Sequence, residues 1–258
     1  MTKLRQFLGG LICALCGWML TACSSEEDSL QIPEGKGYVK LNLTTDAGFQ
    51  TKAALDESTY QNKDNYTVQI LDDEGSIVKN WKYTEIPEDL IELANGSYVL
   101  KAFCGEDKNA STTSMYVEGT SDFDINGDQK EVSVTCAPVC ARVTIVGEGM
   151  DEQFSDWSAM IGTKAQGSGS FYQYPKDGDP VYLKVEKGES ISVNFTFTPK
   201  SGSKNTTVSK TYTVNPNEAL KITLKPAASE NGNLGITITI DGSTNDETIN
   251  IEIPADWV

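Results

Sequence analysis

Six cysteines carry the most reactive side chains in this sequence of 258 residues, and their setting limits what they can do. Cys13, Cys16 and Cys23 lie in or just after an apolar N-terminal run, while Cys104, Cys136 and Cys140 lie in the body of the chain. The chain contains no histidine. That excludes Ser-His-Asp and Cys-His nucleophilic machinery and any His-ligated zinc or iron site. Three body thiols are too few for a four-ligand zinc site. Cys136 and Cys140 bracket Pro138, which suggests a strand break rather than a metal knuckle. The three thiols are expected as small buried residues on strands, with both a disulfide and free thiols left open. Acid–base work would fall to carboxylates, Lys, Tyr or Cys, and a glycosidase-like carboxylate pair is the catalytic chemistry left open. The expectation is a non-enzymatic protein with no cofactor.

Two further sets of residues have chemistry-bearing spacing. Asp122, Asp124, Asn126 and Asp128 follow the opening of a calcium loop, D-x-[DN]-x-[DN]-G. The twelfth position calls for a bidentate glutamate, and Ser133 occupies it. The flanks read as strands, so the segment from Ile125 to Lys130 is expected as a polar hairpin turn, with a weak calcium site as the alternative. Trp81 and Tyr83, and again Tyr172 and Tyr174, are spaced to share a strand face. Exposed, such pairs would form a sugar-stacking platform; buried, they are ordinary packing residues. Gly147-Glu148-Gly149 and Gly167-Ser168-Gly169 lack phosphate-loop spacing and read as loops.

The N-terminus points to export. Lys3 and Arg5 precede an apolar run from Phe7 to Leu20, and small residues lead into Cys23. This is the order of a secretory signal, with an apolar stretch short for a membrane span. Leu20-Thr21-Ala22-Cys23 resembles the bacterial lipobox, which implies cleavage before Cys23 and lipidation of its thiol. The acidic run Ser24 to Asp28 reads as a solvated tether. It also resembles the export signal of Bacteroides-type surface lipoproteins, which implies the outer membrane with the body facing outward. Asp28-Ser29-Leu30 resembles the O-glycosylation signal of those bacteria, placing a candidate glycan on Ser29. Removing residues 1–22 leaves 19 basic against 37 acidic residues, a net charge of −18. Such a body repels phosphate backbones, so no nucleic-acid partner is expected, and lipid alone would hold it to a membrane.

The elements that must carry these residues are strands. Period-two alternation runs from Gly37 onward. It predicts strands near Val39–Leu43, Tyr66–Ile70, Ile77–Tyr83, Leu90–Leu93, Tyr98–Cys104, Tyr116–Glu118, Phe123–Ile125, Lys130–Cys136 and Val139–Val146. Asn95-Gly96 is a hairpin signal of the type I′ kind. A second series covers Trp157–Ile161, Phe171–Tyr174, Val181–Val185, Ile191–Thr198, Thr207–Val214, Ala219–Leu224, Leu234–Ile240 and Thr248–Ile253. The expected architecture is all-β, two tandem antiparallel β-sandwiches over 36–146 and 147–258, behind a signal peptide (1–22) and a tether (23–35). Val139–Val146 fits either sandwich.

Gly37-Tyr-Val-Lys-Leu-Asn-Leu, the strand and turn from Tyr66 to Gly75, Leu93 to Ala102 around Asn-Gly, and Cys140-Ala-Arg-Val-Thr-Ile145 resemble fimbrillin-like lipoproteins. With the ending Ile251-Glu-Ile-Pro254, the chain is most similar to a lipoprotein family of unknown function, domain of unknown function 4493. The resemblance implies transthyretin-like sandwiches and a part in adhesion or fimbria-like assembly, with pilin-like partners joined by strand addition. In fimbrillin-like relatives a protease removes the first strand after an arginine. Here Lys52 stands at that position, and Arg142, the one arginine after the signal, lies inside a predicted strand. An anchor, tip or accessory role is therefore at least as well supported as a stalk role. A glycan-binding surface lipoprotein of a carbohydrate-uptake system is the alternative.

Overall fold

The computed structural model describes residues 31–49, 55–200, 205–228, 234–241 and 249–252. They hold seventeen strands, four short 3-10 turns and no α-helix. The N-terminal half contributes β1 (Lys36–Thr45), β2 (Thr67–Asp72), β3 (Ile77–Lys82), β4 (Ile91–Ala94), β5 (Gly96–Gly105), β6 (Ala110–Ser111), β7 (Tyr116–Ile125) and β8 (Gln129–Pro138). The C-terminal half contributes β9 (Cys140–Gly147), β10 (Phe154–Gly162), β11 (Tyr172–Pro175), β12 (Val181–Lys184), β13 (Glu189–Pro199), β14 (Thr206–Val214), β15 (Ala219–Ala228), β16 (Leu234–Asp241) and β17 (Ile249–Glu252).

Alternation explains the layers. In β13, Ile191, Val193, Phe195 and Phe197 are buried, while Ser192, Asn194, Thr196 and Thr198 face outward. One face of each strand removes its apolar side chains from water, at about 25 cal/mol per Å² of apolar area buried. In the first sandwich, β4-β1-β8 close over β7-β5-β2-β3, with β8 shared: it pairs with β1 from Gln129 to Cys136 and with β7 at Ala137 and Pro138. Val39, Leu43, Ile70, Leu100, Val117 and Val134 fill this core. In the second, β11-β10-β13-β14 pack on β17-β16-β15-β9-β12-β6 around Trp157, Phe195, Phe197, Ile145 and Ile222.

Several details differ from the sequence reading. The sandwiches are not wholly antiparallel, since β1 runs parallel to β8 and β15 parallel to β9. β9 packs in the C-terminal core, although the division at 146/147 placed it before the boundary. The two-residue β6, from the N-terminal half, pairs with β12. Together the halves form one compact unit, Ile32–Val258. Asn95-Gly96 is not a hairpin turn: β4 pairs with β1, β5 pairs with β2 and β7, and neither Asn95 nor Gly96 has positive φ. The chain crosses there from one sheet to the other. Asn95 serves instead as a tie, its N–H donating to Gly35 O at 2.9 Å and its Oδ1 accepting from Gly127 N at 2.8 Å. The segments Tyr116–Glu118 and Phe123–Ile125 belong to one strand, β7. Gly119 between them marks close approach rather than a break, since a Cβ there would lie 2.3 Å from Thr135 O. Among the described residues no helix is long and apolar enough to cross a membrane.

Candidate functional site

The first strand and the segment after it tie the N-terminal end of the described chain to both halves of the body. β1 alternates Val39 and Leu43 into the core with Lys40, Asn42 and Thr44 outward. It is paired on both flanks, antiparallel to β4 over Lys36–Val39 and parallel to β8 over Tyr38–Thr45. Asp46 N–H extends the β8 side by donating to Cys136 O at 2.8 Å, and the Thr44 and Thr135 hydroxyls meet at 2.7 Å. Gly37 admits no side chain, because a Cβ would lie 2.5 Å from Asp128 O and 2.6 Å from Ile125 Cγ2.

Beyond β1 the chain folds down on the C-terminal half. Ala47, Phe49 and Tyr60 are buried in the N-terminal core, from which Phe49 reaches Tyr182 of β12. Asp56 caps the 3-10 turn Glu57–Tyr60 by accepting from Ser58 N–H at 3.1 Å. Glu57 is thereby presented to β9 and β12. Its Oε1 accepts from Arg142 Nη1 at 2.8 Å and from the Tyr182 hydroxyl at 2.7 Å. Its Oε2 accepts from Phe49 N–H at 3.3 Å. The Arg142 guanidinium stands 5.0 Å from the Phe49 ring centroid, and the Phe49 and Tyr182 rings are 5.8 Å apart. Arg142 is only 2 % exposed. A buried guanidinium needs a partner, because an unpaired charge at low dielectric costs several kcal/mol. Burial, and after it the Glu57 carboxylate, pushes the Tyr182 hydroxyl well above its ordinary pKa and keeps it a donor. The arrangement binds and holds; among the described residues no three His, Cys, Asp or Glu groups gather to hold a metal ion.

The residues singled out from the sequence fall in several places. Cys23, Ser29 and Lys52 lie outside the described residues. Cys104, Cys136 and Cys140 are free thiols, all buried. Burial raises all three, Cys136 and Cys140 to about 12, so they are protonated at neutral pH. Asp122 and Asp124 lie on the exposed face of β7, where Asp124 accepts from the Ser97 hydroxyl at 2.6 Å. Asp128 caps the turn through Asn126 N–H at 3.1 Å and pairs with Lys130 at 3.5 Å. Tyr174 is fully buried, donating to Gly178 O at 2.8 Å and accepting from Ile145 N–H at 3.2 Å, which withdraws it from any surface platform. Tyr172 packs edge-on against it, with ring centroids 6.4 Å apart. Trp81 and Tyr83 are half-buried against the other core. The four aromatics therefore belong to two separate cores and share no flat patch.

Glu57, Phe49 and Tyr182 were not singled out from the sequence. One signal was present: a lone arginine inside the apolar run Cys140–Val146 demands a carboxylate. Which of 37 acidic residues answers it is a matter of tertiary structure.

A family model described as a domain of unknown function (DUF4493) matches residues 35–255. No curated protein matches the sequence. Among solved structures, a candidate adhesin from Bacteroides ovatus is similar at a TM-score of 0.50 and 11 % identity, over 85 % of this chain and 97 % of that one. A fimbrial assembly protein from Parabacteroides distasonis gives 0.41 and 13 %, over 83 % and 98 %. The fimbrial anchor protein Mfa2 from Porphyromonas gingivalis gives 0.43 and 13 %, over 85 % and 100 %. At these identities the first likeness is one of fold.

Proposed function

The chain belongs to the DUF4493 family, and from that premise we propose that it is a non-enzymatic, lipid-anchored surface protein that serves adhesion or fimbria-like assembly as a fixed anchor or accessory subunit. The observation that supports the role is the pairing of β1 on both flanks. A subunit that polymerises by strand exchange must give up a strand, leaving its ladder for another chain. Here β1 is laddered on both sides, and the segment after it is bound to the C-terminal half through Glu57, Arg142 and Tyr182. The one arginine after the signal is buried in β9 and offers no site to an arginine-specific protease. The resemblance of Leu20–Cys23 to a lipobox supports lipid on Cys23, upstream of β1 by the length of the acidic tether.

The test is made in cells. Metabolic labelling with palmitate is expected to mark the protein, and external proteinase K to remove it from intact cells. The Cys23→Ala variant is expected to lose the label and leave the membrane fraction. Protection from external protease in intact cells, or membrane retention of Cys23→Ala, would overturn the surface-lipoprotein reading.

A further inference from the structure

The outer face of the four-stranded sheet β11-β10-β13-β14 differs from the rest of the molecule. The chain has 21 basic and 37 acidic residues, yet the outward positions of β13 and β14 carry only Ser, Thr and Asn. Met160 on β10 stands beside Gln173 of β11 on one side and Asn194 of β13 on the other, with Ser209 of β14 next in the row. Ser209 donates its hydroxyl to Asn194 Oδ1 at 2.6 Å, which fixes the amide. Phe171, just before β11, is 46 % exposed and Met160 is 37 % exposed. The Phe171 ring is seated on Gly162: a Cβ there would lie 3.0 Å from ring atoms Cδ1 and Cε1. Glycine at that position lets an aromatic ring rest on the sheet while its other side faces solvent.

This chemistry selects an uncharged occupant. An anionic ligand meets the field of a chain with net charge −16 and gains no counter-charge on the face itself. A protein surface would have to bury many hydroxyls and amides against only two large apolar side chains, a poor exchange because each unpaired polar group costs free energy. A neutral glycan matches better. Its hydroxyls both donate and accept, like the Ser, Thr, Asn and Gln groups that recur about every 4.8 Å across the strands. Its C–H face can stack on an exposed ring.

We propose that this face, centred on Phe171, binds a neutral polysaccharide. The proposal gives the adhesive reading above its ligand class and rests on that reading only for placing the face outside the cell. Its test is made in solution on the purified mature protein, so that it fails or succeeds separately from anchoring and strand retention.

The measurement is affinity electrophoresis in native gels containing soluble mannan, laminarin or dextran, with polygalacturonate as the anionic comparison. At least one neutral polymer is expected to retard the protein, equally at low salt and at roughly 0.5 M salt, because no charge pair is involved. Phe171→Ala is expected to weaken binding about tenfold or more with unchanged melting, and Phe171→Trp to retain it. Asn194→Asp keeps the acceptor for Ser209 but adds a charge, and is expected to weaken binding as well. The proposal is overturned if no neutral polymer retards the protein, if only polygalacturonate does, or if Phe171→Ala and Asn194→Asp bind as the parent does. It is also overturned if sedimentation shows a self-association that Met160→Glu abolishes, since the face would then belong to a second copy.

Discussion

Removing the Glu57 carboxylate attacks the junction at its centre. In Glu57→Ala, Arg142 loses the acceptor at 2.8 Å and Tyr182 the acceptor at 2.7 Å, while the guanidinium stays buried at 2 % exposure. Breaking one side of a buried ion pair costs about 3–5 kcal/mol. The Glu57 side chain is itself 12 % exposed, so water can reach part of the gap, and the lower end applies. A loss of about 3 kcal/mol in a body of this size lowers Tm by roughly 6–12 °C. The double variant Glu57→Leu/Arg142→Met replaces the pair by apolar groups and is expected to recover most of that, since a buried ion pair is often no better than a hydrophobic substitute. Thermal and urea unfolding of Glu57→Leu, Arg142→Met and their double variant close the cycle that gives the coupling energy. A Glu57→Ala loss below about 1 kcal/mol, the range of exposed ion pairs, would show that the junction is solvated and would refute the reasoning.

Two other outcomes follow from the same physics. Cys136 and Cys140 are raised from 9.0 to about 12 in the folded protein. Folded thiols that hold their protons more tightly than unfolded ones contribute stability below pH 9 that is lost as pH rises toward 12. At about pH 10.5 each thiol withdraws about 2 kcal/mol, so the urea midpoint should fall steeply above pH 9 and much less steeply in Cys136→Ala/Cys140→Ala. A parallel fall in both proteins would contradict the assignment. Gly37→Ala places a methyl 2.5 Å from Asp128 O and 2.6 Å from Ile125 Cγ2. It should cost about 1–3 kcal/mol and speed hydrogen exchange of β1, whereas Gly75→Ala, in open space but at φ +79°, should lower stability through backbone strain and leave β1 exchange as it is.

The strands were legible because alternation is local. β13 shows its buried and outward residues in sequence as plainly as in space, and so do β1 and β5. Strand partners were not legible, because pairing is decided by residues far apart in the chain. Asn95-Gly96 has the composition of a hairpin turn, yet β4 gains its hydrogen bonds from β1, so the dipeptide links two sheets. Gly119 reads as an interruption until the Thr135 carbonyl is found against it. Tyr172 and Tyr174 alternate as platform residues would, but the sheet turns Tyr174 into the core, where burial raises its hydroxyl pKa. Of the junction, only Arg142 announced itself, as a charge in an apolar strand. The outward Ser, Thr and Asn rows of β13 and β14 were equally hidden as a surface, since they come together with Met160 and Gln173 only when the strands are laid side by side.

The claim that β1 stays with the body that it anchors is tested most directly by following both ends of one polypeptide. Cells carrying a C-terminal epitope on the protein are labelled with palmitate, and the surface protein is isolated, fully denatured by heat and resolved by size. Lipid label and epitope are expected on a single band of the 236 residues that begin at Cys23. An epitope-bearing band that begins at Ala53 and carries no palmitate would show cleavage after Lys52 and release of the first strand, and would contradict the account.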